Sequence, residues 1–247
     1  MAETPVVLIA GANRGIGLGV TRVFLARGWS VVATARQPDQ ASALRALAEQ
    51  NPGRVRIDRL DMNDPDGIDA FAAGLGDLTL DIVLVNAGVA GPDHRSATAA
   101  TEQDIGRLMF TNAIAPIRLS RRLMDRIRQE TGVLAFTSSV MGSVALNPGG
   151  HELYRASKAA LNSLTRGLHA EMSGRKVTVL TLHPGWVRTD MGGPIAAVSV
   201  EDSAEGMVEV MLSQQGGHRH RFLDYLEPLA KLHANCARNS IGYDNPR

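Results

Sequence analysis

The sequence predicts a single doubly wound α/β domain built on a mostly parallel sheet. Three observations carry this. Short, β-branched, nearly unbroken apolar runs recur along the chain, stretches with helical patterning separate them, and the ends of the runs collect the glycines, asparagines and serines that binding sites use. The runs are PVVLIA (5–10), SVVATA (30–35), RVRID (54–58), DIVLVN (81–86), GVLAFT (132–137) and KVTVLTL (176–182), each bounded by turn residues. A last strand is expected within RFLDYLEP (221–228). Helices are expected over about 15–27, 40–50, 65–76, 101–129 and 152–172, with another beginning near Glu201. The fourth is expected to break near Pro116, because the residue before a proline avoids helical backbone angles. No internal repeat, low-complexity segment or linker interrupts the alternation, so one domain is expected over 1–247. The stretch 228–247 follows the last strand with no assignable role.

Composition narrows the function classes. Of 247 residues, 44% are hydrophobic and 21% charged, which suffices for a sizeable core. The formal charge of +1 gives no bulk electrostatic argument for nucleic acid or an anionic membrane as partner. The single cysteine, Cys236, excludes an internal disulfide and fits a reducing compartment. The apolar run near the start follows no basic segment and ends in glycines, so it reads as a strand and turn rather than a leader. No apolar stretch is long enough to span a bilayer, and a cytoplasmic location is the expectation. His218, His220, His233 and Cys236 match no common zinc spacing, so no metal is expected. Met207, Met211 and Leu212 lie at helical spacing and are expected in the core.

Ligands of such sheets bind beyond the carboxyl ends of the strands. The first such end is AGANRGIG (10–17), where Gly11, Gly15 and Gly17 follow a G-x-x-x-G-x-G spacing. Glycine there lets the backbone turn sharply and approach a diphosphate facing the positive end of the next helix. Where NAD-binding proteins usually carry an acid after the second strand, this chain has Ala35 and Arg36. Arg14 lies within the glycine turn. Two guanidiniums and no carboxylate suit a 2′-phosphate, so NADP(H) is preferred over NAD(H).

ELYRASKAAL (152–161) places Tyr154 and Lys158 one helical turn apart, hence on one face. A core aromatic beside a snorkelling lysine is one reading. The other is an acid–base pair, since at ~4 Å and an effective dielectric of ~20 one charge is worth roughly 4 kcal/mol. A two-unit change in a phenol's pKa takes only about 2.7 kcal/mol.

These motifs, in this order from about residue 5 to about 226, resemble the short-chain dehydrogenase/reductase family in its single-domain, Rossmann-fold form. Gly11, Asn13, Arg14, Gly15, Ile16 and Gly17 fall in the glycine motif, with Ala10 in place of the usual threonine. Asp61 resembles the acid that bonds the adenine amine. Asn86, Ala87 and Gly88 resemble the N-N-A-G motif, with Val85 replacing its first asparagine. Pro184, Gly185, Val187 and Thr189 lie in what resembles the loop that grips the nicotinamide carboxamide, through Thr189 and the Val187 backbone.

The resemblance implies a catalytic set of Asn112, Ser139, Tyr154 and Lys158. It implies reversible reduction of a small aldehyde or ketone, with Tyr154 as proton donor, Lys158 tuning it and also holding the nicotinamide ribose. Asn112 is expected to hold a water that resupplies protons. Ser139 is preferred over Ser138 because Val140-Met141-Gly142 follows it. Its separation of 15 from Tyr154 implies a small insertion within 146–151. The stretch from Met191 to Glu201 is short, which suggests an open site.

Within the family the nearest likeness is to C-factor-type and carbonyl-reductase-like members. A dinucleotide-binding signalling or regulatory role therefore stands as the alternative. Arg118, Arg121, Arg122, Arg126 and Arg128 line the helix after Pro116, which in the family often packs on a second subunit. A homodimer or homotetramer is the expectation, against a simple solvated face.

Overall fold

A computed structural model describes residues 4–172 and 174–227. The expectations for the tail, including His233 and Cys236, lie outside the described residues. Seven strands form one all-parallel sheet: β1 (Val6–Ala10), β2 (Ser30–Ala35), β3 (Val55–Arg59), β4 (Ile82–Val85), β5 (Val133–Thr137), β6 (Thr178–His183) and β7 (His220–Asp224). Their order is β3-β2-β1-β4-β5-β6-β7, which reverses direction between β1 and β4. The helices are α1 (Gly15–Ala26), α2 (Ser42–Gln50), α3 (Pro65–Gly74), α4 (Glu102–Met109), α5 (Ala115–Leu123), α6 (Glu152–Glu171) and α7 (Val200–Ser213). Every expected strand and helix is present, with ends shifted by a few residues.

Alternation along the strands divides the core into two layers. Val7, Ile9, Ile82 and Leu84 face one layer with Phe24 of α1 and Met207 and Met211 of α7. Leu8, Ala10, Val83 and Val85 face the other with Ile68 of α3, Leu119 of α5 and Leu161 and Leu168 of α6. Both sheet faces are thus covered, which is why the strands read as unbroken apolar runs. Among the described residues no helix is long and apolar enough to cross a membrane.

The expected break at Pro116 does not occur. The helix instead runs from α4 through a π turn, Phe110–Ile114, directly into α5. Ala115, before the proline, keeps helical angles (φ −61°, ψ −39°), and its N–H reaches back five residues to the Phe110 carbonyl. The wider turn accommodates the proline ring and its missing N–H, so the chain continues where a regular helix would kink.

The arginine run after Pro116 is largely tied within the chain. Arg121 pairs with Glu171, Arg122 bonds both carboxylate oxygens of Asp69 at 2.7 and 2.9 Å, and Arg126 donates to the Gly76 carbonyl. Arg128 bonds the buried Asp81 at 2.5 Å, while Arg118 lies 5.8 Å from the centre of the Phe110 ring.

Candidate active site

The strand carboxyl ends bring the predicted residues together. The turn after β1 is tight: Gly11 and Gly15 have φ of +87° and +53°. A Cβ on Gly17 would fall 2.1 Å from the Gly11 carbonyl oxygen. Arg14 is the N-cap of α1 but gives no side-chain cap, and the first turn carries no acid. The helix therefore presents uncapped N–H groups and an uncompensated positive end beneath a backbone with no side chains in the way. That is a fit for a diphosphate.

Asn86 anchors the turn. Its amide donates to the Gly11 carbonyl at 3.0 Å and accepts from the Thr137 hydroxyl at 2.9 Å. The side chain is thus a strut between the glycine turn and β5. On the neighbouring strand the Thr34 hydroxyl takes the Gly11 N–H at 3.2 Å. Arg36 follows β2 and is exposed, and Asp61 follows β3 with one carboxylate oxygen accepting from Asn63 N–H at 2.9 Å. Arg14 forms an exposed ion pair with Asp190 at 2.5 Å, so it would exchange partners to take a phosphate.

Lys158 is buried, 4% exposed, on α6. Its ammonium donates to the Thr137 carbonyl at 2.9 Å and lies 5.7 Å from the centre of the Tyr154 ring. Gly88 makes room for it, because a Cβ there would lie 3.6 Å from Nζ and 3.3 Å from Asn112 Oδ1. Burial pushes the Tyr154 phenol up to about 12 and the Lys158 ammonium down to about 8. The expected tuning of the phenol rests on Lys158 together with the positive charge of an oxidised nicotinamide; in the chain by itself burial sets the direction for both groups. At neutral pH the pair stands as an intact phenol beside an ammonium.

The two serines separate cleanly. Ser138 donates its hydroxyl proton to Asn162 Oδ1 at 2.6 Å, which commits it structurally. Ser139 accepts from the Met141 N–H at 3.1 Å as cap of the short 3₁₀ turn Val140–Gly142, which leaves its own proton to donate. That turn presses on α6 so closely that a Cβ on Gly142 would meet the Lys158 backbone at 2.8 Å. Asn112 sits within the π turn. Its side chain accepts from Val89 N–H at 2.8 Å and donates to the Val89 carbonyl at 2.8 Å and the Ser157 hydroxyl at 3.0 Å. The side-chain amide is thus committed. Its main-chain carbonyl lies four residues before Pro116, which has no N–H to give it.

After β6, a parallel bridge joins Val187 to Val198 through the N–H groups of Arg188 and Val198. The Thr189 hydroxyl accepts from Gly192 N–H at 3.1 Å, and its methyl would lie 3.2 Å from a Cβ on Gly15. The post-β6 loop therefore rests on the glycine turn. Pro184 and Gly185 lead into it, with Gly185 (φ +83°) too close to Tyr225 and Val198 for a side chain. Asn13 and Ile16 occupy the glycine turn and first helical turn as expected.

Three parts of the site were not foreseen. The Thr137 carbonyl, the Asn86 strut and the Asp190 partner of Arg14 each join residues 21 to 176 positions apart, which no local pattern signals.

A glycine turn on an uncapped helix, joined to a buried phenol–ammonium pair at the ends of a parallel sheet, defines a dinucleotide-dependent oxidoreductase. Comparison with known proteins agrees. Residues 5–198 match the short chain dehydrogenase family model, and the chain belongs to that family. A carbonyl reductase from Pseudomonas aeruginosa PAO1, solved in complex with NADP, is 44% identical; the match covers 90% of this chain and 97% of that one, with a TM-score of 0.84. The NADPH-bound carbonyl reductase from chicken fatty liver is 32% identical over 91% and 97% of the two chains, with a TM-score of 0.80. C-signal from Myxococcus xanthus is 38% identical over 160 residues, which span 63% of this chain and 95% of that protein.

The buried ammonium has a measurable cost. The unfolded chain holds the Lys158 proton up to about pH 10.5, the folded one only to about 8. The folded state therefore bears the full penalty, about 3 kcal/mol, below pH 8, and progressively less as pH rises toward 10.5. Lys158→Met is expected to be more stable than the parent protein at pH 7 in urea unfolding. The difference should close between pH 8 and 10.5; a difference independent of pH would refute this account.

Proposed function

We propose that the chain reduces a small aldehyde or ketone to an alcohol with NADP(H), with Tyr154 as the proton donor. The observation that carries this reading is the Tyr154–Lys158 pair, a half-buried phenol held in its protonated form beside a buried ammonium, at the end of the sheet where the glycine turn also lies. Gly11, Asn13, Arg14, Gly15, Ile16 and Gly17 would hold the diphosphate end, Arg14 and Arg36 the 2′-phosphate, and Asp61 the adenine. Gly88, Val187 and Thr189 would border the nicotinamide end, with Asn86, Ala87, Pro184 and Gly185 shaping the walls. When bound, NADP(H) supplies the hydride and, once oxidised, a positive charge. Ser139 donates to the substrate oxygen and steadies the charge developing there. Tyr154 gives its proton to the same oxygen as the alcohol forms. A phenol held in its protonated form is a sufficient acid toward an alkoxide, and the phenolate it leaves would be the base of the reverse reaction. Lys158 steadies the phenolate left behind, and Asn112, through its main-chain carbonyl, would hold the water that returns the proton.

The similarity to C-signal supports a second reading, a dinucleotide-binding signalling protein with little turnover. The complete set of Asn112, Ser139, Tyr154 and Lys158 favours the enzyme, because a sensor has no chemical need of it. A cytoplasmic location goes with this reading and with the single cysteine. A homodimer or homotetramer is proposed through the α5–α6 face, where Ile114 and Leu164 are exposed beside Ile117 and Arg118.

Tyr154→Phe is expected to lower kcat for carbonyl reduction by at least a thousandfold while NADPH binding, followed by titration, changes less than threefold. Near-normal kcat would remove Tyr154 from the scheme. Turnover is expected to favour NADPH over NADH, and Arg36→Ala should erode that ratio tenfold or more; equal kcat/KM for the two cofactors in the parent protein would refute the 2′-phosphate reading. Light scattering should give twice or four times the chain mass, and Ile114→Asp should reduce it; a monomer would refute the assembly.

A further inference from the structure

Two buried helical hydroxyls serve only their own turn: Thr21 of α1 donates to the Gly17 carbonyl and Ser120 of α5 to the Pro116 carbonyl. Ser157 of α6 begins in the same way, donating to the Tyr154 carbonyl at 2.8 Å. It differs in what its oxygen accepts, which is a side-chain N–H of Asn112 at 3.0 Å, from the π turn of another helix. Both groups are out of water, with Ser157 at 0% exposure and Asn112 at 1%. Among the described residues no other hydrogen bond joins the π turn to α6.

The bond has a direction. Ser157 has spent its proton on Tyr154, so it offers Asn112 only an acceptor. Val89 engages the rest of the amide, its N–H donating to Asn112 Oδ1 and its carbonyl accepting from Nδ2, both at 2.8 Å. Turning the amide over would set donor against donor and acceptor against acceptor, away from water, so one orientation is enforced. Asn112 Oδ1 and the Lys158 ammonium flank a single point over Gly88, 3.3 and 3.6 Å from where a Cβ would stand. Ser157 thus reaches the surroundings of Lys158 through Asn112. Wholly buried, it meets neither substrate nor dinucleotide itself.

What this does for turnover rests on the reductase reading. Each cycle moves one hydride from NADPH and one proton from Tyr154 onto the carbonyl, giving an alcohol and NADP⁺ and leaving a phenolate. One proton must then come back from solvent. We infer that Ser157 is a positioning residue for this return. By holding the Asn112 amide it sets the Asn112 main-chain carbonyl, with the water proposed there, against Lys158. The first turnover spends a proton that Tyr154 already carries and makes no call on Ser157. Every later turnover does.

The test is stopped-flow mixing of the NADPH-loaded protein with excess of an aldehyde that the parent protein reduces. Two variants are compared with the parent: Ser157→Ala, and Ser157→Cys, which is close in size but a weak acceptor. Both are expected to oxidise the first equivalent of NADPH within about threefold of the parent rate, then to turn over at least about tenfold more slowly. A second readout needs neither cofactor nor turnover. Hydrogen exchange at the Val89 amide, whose partner is Asn112 Oδ1, should quicken about tenfold or more in both variants. Exchange at the Leu134 amide of β5 should stay as in the parent. A first turnover slowed as much as the later ones, a steady rate within threefold of the parent, or unchanged exchange at Val89 would overturn the inference and leave the reductase reading standing. Should one variant fail to fold, the other carries the test; failure of both would make Ser157 a packing residue and overturn the inference. No turnover of any aldehyde by the parent protein would overturn the reductase reading itself, and this inference with it.

Discussion

The site is organised around one awkward charge, the ammonium of Lys158, removed almost wholly from water. An ion so placed must be met by a fixed acceptor and close packing, or it loses its proton. The Thr137 carbonyl at the end of β5 is that acceptor. The space around it is made by omission: Gly88 and Gly142 carry no side chain where one would press on Lys158 or its backbone. Asn112 and Ser157 close the remaining side with a bond of their own. Glycine, serine and asparagine at these points are thus different answers to one electrostatic demand.

The nucleotide end and the chemical end are mechanically joined. Asn86 bonds the glycine turn with one end of its amide and β5 with the other, so the strand that supplies the acceptor for Lys158 also steadies the turn. Thr189 completes the enclosure from the opposite side by resting on Gly15. These contacts tie the loops at the ends of β1, β4, β5 and β6 to one another.

Much of this was legible in the sequence. Parallel strands covered on both faces need continuous apolar runs, and PVVLIA or DIVLVN can hardly be read otherwise. Tyr154 and Lys158 announce themselves because a helix fixes what lies one turn away. Legibility fails where the decisive quantity is tertiary. Ser138 and Ser139 are equivalent until one is seen to donate to Asn162. Asn86 and Asn112 look like ligand-facing amides until their partners are known. The direction in which burial pushes Tyr154 is likewise illegible, because proximity of charge is written in the spacing, whereas depth of burial is not. Pro116 misled for a similar reason: its local preference is real, but the π turn just before it made room for the ring and let Ala115 stay helical.

That π turn also constrains how the chain can vary. Each residue of a regular helix advances about 100° around the axis, so one residue more would turn the stripe that follows away from the sheet unless a wider turn absorbed it. The π turn Phe110–Ile114 is such an absorber, and α5 after it keeps Leu119 and Leu123 buried. Taking one residue out of it would leave that stripe facing the sheet, and the cost would fall on the turn itself, where Asn112 holds Val89 and Ser157.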